Sequence, residues 1–228
     1  MPKFQDYAAA IAPVINAAHV NVHAAAARAV AELAETSGVT LGLLVDLRFA
    51  FPLTRAALSI IYRYGEPPGL QEHLREGTLT EDDGTLRLTG KGLEFVHRLY
   101  DLHAAAIERV WAGGDLPGLA ALTGRVLDAA ERVPGGALEL VAPPYEPEGA
   151  TPGLLLFNRL AVLRYHRADA HAVAWQAEGL SAAEIVGLTD KPLRARIEAE
   201  TDRRAAAPYR VLTAGERETL YDGLMKLI

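Results

Sequence analysis

The stretch over residues 77–89 constrains the fold most, because the spacing of apolar residues changes there. Before it, apolar residues recur every three to four positions, as on one face of a helix, whereas Leu86 and Leu88 lie two positions apart. The acidic run Glu81-Asp82-Asp83 leads into Gly84, and Asp-Gly between alternating apolar residues is a strong hairpin signal. The sequence therefore predicts one β-hairpin inside an otherwise helical chain.

Helical patterns surround this hairpin on both sides. Two helices, a turn between them and a two-stranded hairpin follow one another in the order of a winged helix-turn-helix, here residues 52–97. The predicted fold class is therefore mainly α, a winged helix-turn-helix with a small β-hairpin wing. We expect helices over 4–35, 41–51, 53–64, 70–75, 93–111, 116–133, 153–178 and 192–207, with capping boxes at Ser181-Ala182-Ala183-Glu184 and Thr213-Ala214-Gly215-Glu216.

The domain organisation is predicted from glycine and proline, which concentrate over 134–150. We interpret that stretch as a linker between an N-terminal half, 1–140, which contains the winged unit, and a helical, wingless C-terminal half, 150–228. The six residues at 88–93, Leu-Thr-Gly-Lys-Gly-Leu, are echoed at 188–193 by Leu-Thr-Asp-Lys-Pro-Leu. Either the chain is a duplicated, pseudo-dimeric helical arrangement, or two unrelated helix starts agree by coincidence.

Two family resemblances arise at these residues. Leu-Thr-x-Lys-Gly at 88–92, leading into a long helix, resembles the end of the wing in MarR-type regulators, and 212–216 with the leucines that follow is similar to their closing helix. This resemblance implies a winged-helix fold and a ligand-responsive transcriptional regulator. The residues at 164–171 and 196–209 resemble an uncharacterised helix-turn-helix family common in actinobacteria, which has no settled activity and so implies a fold only.

The charge balance opposes strong DNA binding. The chain has 23 Lys and Arg against 29 Asp and Glu, a net charge of −6, whereas phosphate contacts by basic residues supply most non-specific DNA affinity. The side chains predicted to contact DNA are Gln71, His73 and Arg75 in the second helix of the turn, with Arg87 in the wing. The carboxylates at 81–83 would repel phosphates. The winged unit is therefore either a weak DNA-binding element or a scaffold.

A polar cluster follows the apolar part of the helix predicted over 153–178. Arg164, Arg167 and His171 share one face of that helix, since residues three or four apart are neighbours. Charged groups on a buried helix need partners, which a polar or anionic ligand between the halves would supply. The alternative is a helix end in solvent with ordinary intrahelical pairs. The predicted ligand-binding residues are Arg164, His166, Arg167, Asp169, His171 and Asp202.

Other chemistry has little support in the sequence. His19 and His23 have the i, i+4 spacing of a metal-binding pair, with His103 or His171 as a third ligand, but we favour packing as their role and predict neither metal nor cofactor. Glycine-rich nucleotide loops and the Gly-x-Ser-x-Gly nucleophile motif are not found, so an enzyme is unsupported.

Location and partners follow from composition. Without cysteine there is no disulfide framework, no apolar run reaches the length of roughly 18 residues that spans a bilayer, and the first residues lack a secretion-signal pattern. We expect a soluble cytoplasmic monomer or homodimer that is not bound to membranes. The first hypothesis for its function is a ligand-responsive, MarR-like transcriptional regulator. The second is a descendant of that fold that does not bind DNA and binds, sequesters or transforms a small molecule.

Overall fold

Helices make up most of the computed structural model, which describes residues 4–228, with side chains from Asp6 onward. The mainly helical class is thus confirmed. Among residues 4–228, no helix combines the length and the apolar character required to cross a membrane. In chain order the elements are α1 (Phe4–Ser37), α2 (Leu43–Leu47), a 3-10 helix (Arg48–Ala50), β1 (Leu53–Thr54), α3 (Arg55–Ile61), α4 (Leu70–Glu76), β2 (Leu79–Asp82), β3 (Thr85–Leu88), α5 (Gly90–Val110), α6 (Leu116–Asp128), α7 (Ala137–Val141), α8 (Pro152–Ala177), α9 (Ala182–Val186), α10 (Lys191–Ala205), a second 3-10 helix (Ala207–Val211) and α11 (Ala214–Met225).

The predicted hairpin is present, with Asp83 and Gly84 at its turn. Strands β2 and β3 pair antiparallel, and Asp82 lies opposite Thr85. Asp83 has a φ of +46° and Gly84 a φ of +71°. A two-residue turn with positive φ at both positions matches the right-handed twist of the strands, and Asp-Gly adopts it readily.

A third strand, β1, joins this hairpin at a place where the sequence predicts the start of a helix. Leu53 lies opposite Leu86 in an antiparallel pair, so the strand order in the sheet is β1-β3-β2. Helix α3 begins only at Arg55, and the Thr54 side-chain oxygen accepts a hydrogen bond from the backbone N–H of Ala57 as its cap. The prediction of a helix from residue 53 was wrong because Leu53 gains more from burial against the sheet, where it is 5% exposed.

The predicted helix over 41–51 was also wrong in its second half. Helix α2 ends at Leu47, and Arg48 has a φ of +46°, which no regular right-handed helix contains. The chain continues as the short 3-10 helix Arg48–Ala50. This interruption turns the chain at a single arginine.

The core continues across the predicted boundary between the halves. One cluster of buried side chains extends from Tyr7 to Leu227 and includes members of α1, α5, α6, α8 and α11. Helix α8 packs against α6, α7, α10 and α1. The segment 134–150 is more than a linker, since it contains α7, whose Ala137 and Leu138 are fully buried.

The two echoed hexapeptides start helices in different ways. Thr89 caps α5, which follows strand β3, whereas Asp190 caps α10, which follows a loop after α9. The capping position therefore shifts by one residue between the two copies. Both copies thus contain a helix-start signal, but the elements that precede them differ.

The Asp169 carboxylate, predicted as a ligand-binding group, forms hydrogen bonds that join three parts of the fold. Its Oδ1 accepts hydrogen bonds from the backbone N–H of Ala137 at 2.9 Å and from Nη2 of Arg63 at 2.5 Å. Its Oδ2 accepts from the backbone N–H of Leu138 at 2.8 Å. A carboxylate at the first N–H groups of α7 satisfies donors that the helix itself leaves unpaired.

Replacing Asp169 with Asn should therefore destabilise the fold. The variant loses the charge opposite the largely buried Arg63 and one of the acceptors at α7, which we expect to cost about 3 kcal/mol. Chemical denaturation of Asp169→Asn measures this, with Asp202→Asn as the matched control. Asp202 is a more exposed carboxylate with a single arginine partner. Equal losses in the two variants would contradict the joining role of Asp169.

Candidate ligand-binding site

A cavity of about 440 Å³ lies between α1, α8 and α10, and four of the six predicted ligand-binding residues line it. Arg164, Arg167 and His171 come from one face of α8, as their spacing predicts. Small side chains of α1 and α10 form much of the wall, so the helices leave room between them. The lining also includes His166, Ala8, Ala12, Leu163, Thr201 and Tyr209.

Arg167 is neutralised by acidic residues of α10. Its Nη1 donates to Oδ1 of Asp202 at 2.6 Å, and its Nη2 lies 3.3 Å from Oε2 of Glu198. Asp202 acts on the cavity through Arg167, since it does not line the cavity itself. Glu198 does line it and was missed, although its place four residues before Asp202, on the same helical face, is a usable signal.

His171 lies at the same end of the cavity. Its Nδ1 is hydrogen-bonded to the Tyr64 hydroxyl at 2.7 Å, and that hydroxyl also accepts from Nε1 of Trp175. Burial lowers the pKa of His171, and the carboxylate of Glu198 partly opposes that shift. Burial likewise lowers the pKa of His166. Both imidazoles are therefore mainly neutral near pH 7 and can donate or accept hydrogen bonds.

Arg164 brings an uncompensated positive charge to the cavity. Its Nη1 donates to Nδ1 of His19 at 2.8 Å. Burial, followed by the positive charge of Arg164, lowers the pKa of His19 well below its usual range, so this partner is neutral. Among residues 6–228, whose side chains are described, no carboxylate lies within ion-pair distance of Arg164. A positive charge thus faces the cavity without a counter-charge.

Behind Arg164 lies a buried polar cluster centred on the Phe157 ring, which the sequence did not reveal as a unit. His19 stacks on this ring at 4.9 Å between centroids, and the rings of His103 and His23 lie at 5.1 and 5.4 Å. The Arg48 guanidinium carbon lies 4.8 Å from the ring centroid. We call these five residues the Phe157 cluster.

The histidines of the Phe157 cluster are held neutral. Burial, with the charge of Arg48 adding to it, lowers the pKa of His23 to about 4 and that of His103 to about 2. Both ring nitrogens of His103 and Nε2 of His19 lack a hydrogen-bond partner. Although His103 does approach His23, no group of three metal-ligating side chains suited to a metal is found within the part of the chain that the structure describes.

The residues predicted to contact DNA are only partly available at the surface. His73 is fully buried, with Nδ1 within hydrogen-bond distance of the Thr78 and Glu76 side chains, so it cannot reach a base edge. Gln71, Arg75 and Arg87 are exposed, and Arg75 lies 3.6 Å from Glu72. The sequence pattern of α4 did not predict this burial, because His73 packs against Thr78, which lies outside α4 and directly before strand β2.

Comparison of the chain with protein-family models, with curated proteins and with solved structures returned no match. Only the residues of the cavity therefore indicate what it could bind. These are an uncompensated arginine at one end, apolar walls, and a neutralised Arg167 with Glu198 and His171 at the other end.

The Phe157 cluster should make the fold sensitive to acid. An unfolded histidine titrates near pH 6.5, whereas the folded His23 and His103 titrate lower, so below about pH 6.5 the unfolded chain binds more protons. Their contribution to stability is complete above that pH and falls as the pH falls, by about 1.4 kcal/mol per pH unit for each histidine. Chemical denaturation between pH 7 and pH 5 measures the slope.

The variant His103→Leu should flatten this slope by about one histidine's share, roughly 1.4 kcal/mol per pH unit. The reference is the unmodified protein, measured over the same pH range. An equal slope in His103→Leu and the unmodified protein would show that His103 is not held neutral by burial.

Proposed function

We propose that this chain is a small-molecule-binding protein built on a winged-helix unit, and that an organic anion occupies the cavity beside Arg164. The observation that carries the proposal is the positive charge of Arg164, which faces a cavity of about 440 Å³ without a carboxylate partner among the described residues. Cavities of about 300–1,000 Å³ with mainly apolar walls and a few convergent polar groups are typical of small-molecule sites.

The side chains that line the cavity differ in charge and polarity from one part of it to another. A carboxylate or phosphate group at Arg164 would make charge-assisted hydrogen bonds with the guanidinium. The apolar body of the ligand would lie along Ala8, Ala12 and Leu163, and a hydroxyl or amine would reach Glu198 or His171 at the other end. The proposed ligand class is therefore a small organic acid that carries a second polar group.

The arrangement of residues 52–97 supports the winged-helix interpretation. A short strand, two helices and a hairpin follow one another, and the first strand pairs with the last to give the order β1-β3-β2. Helix α4, directly before the hairpin, occupies the position of a recognition helix. The same arrangement favours the second candidate function, a ligand-responsive transcriptional regulator of the MarR type.

The charge of the winged surface argues against strong DNA binding. Glu81 is held by Arg55 in a two-pronged contact of 2.7 and 2.6 Å, so these charges cancel. Asp82 and Asp83 are exposed at the turn of the hairpin, and Glu72 offsets Arg75 on α4. Phosphates would meet a surface that is neutral to acidic. This charge favours a small-molecule-binding protein that does not bind DNA.

Replacing Arg164 with Met should weaken ligand binding while the fold is retained, because Arg164 is exposed and Met keeps most of its apolar length. We expect organic carboxylates or phosphate esters to bind the unmodified protein in isothermal titration calorimetry and to lose affinity by about tenfold or more in Arg164→Met. The matched control is Arg132→Met, an exposed arginine outside the cavity. Equal affinity in all three proteins, or binding of no member of a panel of such acids, would contradict the proposal.

Neutralising the winged surface should raise its affinity for DNA. We expect the triple variant Glu72→Gln, Asp82→Asn, Asp83→Asn to bind duplex DNA several-fold more tightly than the unmodified protein in fluorescence anisotropy at about 50 mM salt. The control triple Glu35→Gln, Asp101→Asn, Glu108→Gln changes the net charge equally, at exposed positions on α1 and α5. An equal gain in the control would show that DNA does not contact the winged surface in particular. Tight, sequence-specific binding by the unmodified protein would favour the transcriptional regulator instead.

A further inference from the structure

A second cavity lies on the other side of α8, bounded by residues 46–50 and by the loop 140–147. Its volume is about 410 Å³, and Arg48 is among the residues that line it. We propose that this cavity binds a small organic carboxylate, whose anionic group pairs with Arg48. The site is separate from the cavity beside Arg164, and the proposal does not depend on that one.

Arg48 is a buried cation without an ion-pair partner among the residues whose side chains are described. The residue is 7% exposed, and its Nη1 has neither solvent contact nor a hydrogen-bond partner. Among the residues with described side chains, no carboxylate lies within ion-pair distance of its guanidinium. Burial of an unpaired charge is costly, and contact with the Phe157 ring offsets only part of that cost. A bound anion would supply the missing counter-charge.

The acidic side chains at this cavity are engaged elsewhere. Oδ2 of Asp46 accepts a hydrogen bond from the Tyr62 hydroxyl at 3.0 Å. Both carboxylate oxygens of Glu146 accept from Arg159, at 2.6 and 2.8 Å. Asp46 favours the charged form of Arg48 through space, but neither carboxylate is in ion-pair contact with its guanidinium, so a bound anion would be the first direct partner of Arg48.

The backbone at Arg48 is also unusual. Its φ of +46° is rare for a residue with a side chain, and such conformations concentrate at functional sites, where the surrounding structure maintains them. The turn at Arg48 ends α2, directs the guanidinium towards the Phe157 ring and places Phe49 next to it along the cavity wall. The strained backbone at Arg48 thus places its positive charge beside the Phe157 ring.

The walls match the body of an organic carboxylate. The rings of Phe49 and Tyr145 stack at 3.7 Å between centroids, and Tyr165 and Val162 of α8 line the opposite side. Asn158, which is buried, donates from Nδ2 to the backbone oxygen of Tyr145 and fixes the loop there. Aromatic and aliphatic surfaces close to one cation suit a flat or short-chain acid better than inorganic phosphate.

The test uses benzoate and hexanoate as probes, with inorganic phosphate for comparison, on protein that carries Arg164→Met so that the first cavity does not contribute. We expect calorimetry to detect either carboxylate in Arg164→Met, and its affinity to fall by about tenfold or more when Arg48→Gln is added. Arg48→Lys, which keeps the charge, should retain part of the affinity. Absence of binding at millimolar carboxylate, tighter binding of phosphate, or equal affinity with and without Arg48→Gln would overturn the proposal.

Two further measurements separate a ligand site from core packing. Without ligand, Arg48→Met should raise Tm, because it replaces an unpaired buried charge with an apolar side chain of similar length, whereas a lower Tm would show that the fold already stabilises the charge of Arg48 and would contradict the proposal. Crystals soaked in 4-iodobenzoate should show the iodine inside this cavity, with the carboxylate within hydrogen-bond distance of Arg48. Iodine found only in other places would contradict the site.

Discussion

Helix α8 must bury almost its whole circumference and still carry charged side chains, and much of the structure follows from this constraint. Between its two ends, α8 has one exposed residue, Arg164, and its other polar side chains are at least partly buried. Each of them therefore requires a partner within the protein. Asp169 accepts hydrogen bonds from backbone N–H groups of α7 and forms an ion pair with Arg63. Arg167 forms ion pairs with Asp202 and Glu198. Arg164 reaches only the neutral imidazole of His19.

Positive charge therefore remains uncompensated on both sides of α8. Arg164 faces one cavity and contacts the Phe157 cluster through His19, whereas Arg48 is a member of that cluster and lines the other cavity. The histidines of that cluster stay neutral because burial, to which the positive charge of Arg48 adds, opposes their protonation. The burial of Arg48 costs stability, which a bound anion would offset, whereas Arg164 is exposed to solvent and does not carry that cost.

Local signals predicted the elements that depend on neighbouring residues. Asp83-Gly84 gave the hairpin turn, the capping boxes at Ser181 and Thr213 start α9 and α11 as expected, and the spacing of Arg164, Arg167 and His171 placed them on one face. Local sequence signals could not predict features that depend on contacts between residues far apart in the chain. Strand β1 exists because Leu53 meets Leu86, α7 because Asp169 caps it, and Arg48 becomes buried only when α8 packs against it.

Native mass spectrometry of the protein purified from its own host tests the central claim most directly. If an organic anion occupies the cavity at Arg164, the unmodified protein should carry a small acidic molecule that is absent from Arg164→Met purified in the same way. Identical spectra for the two proteins, whether both carry an adduct or neither does, would contradict the account.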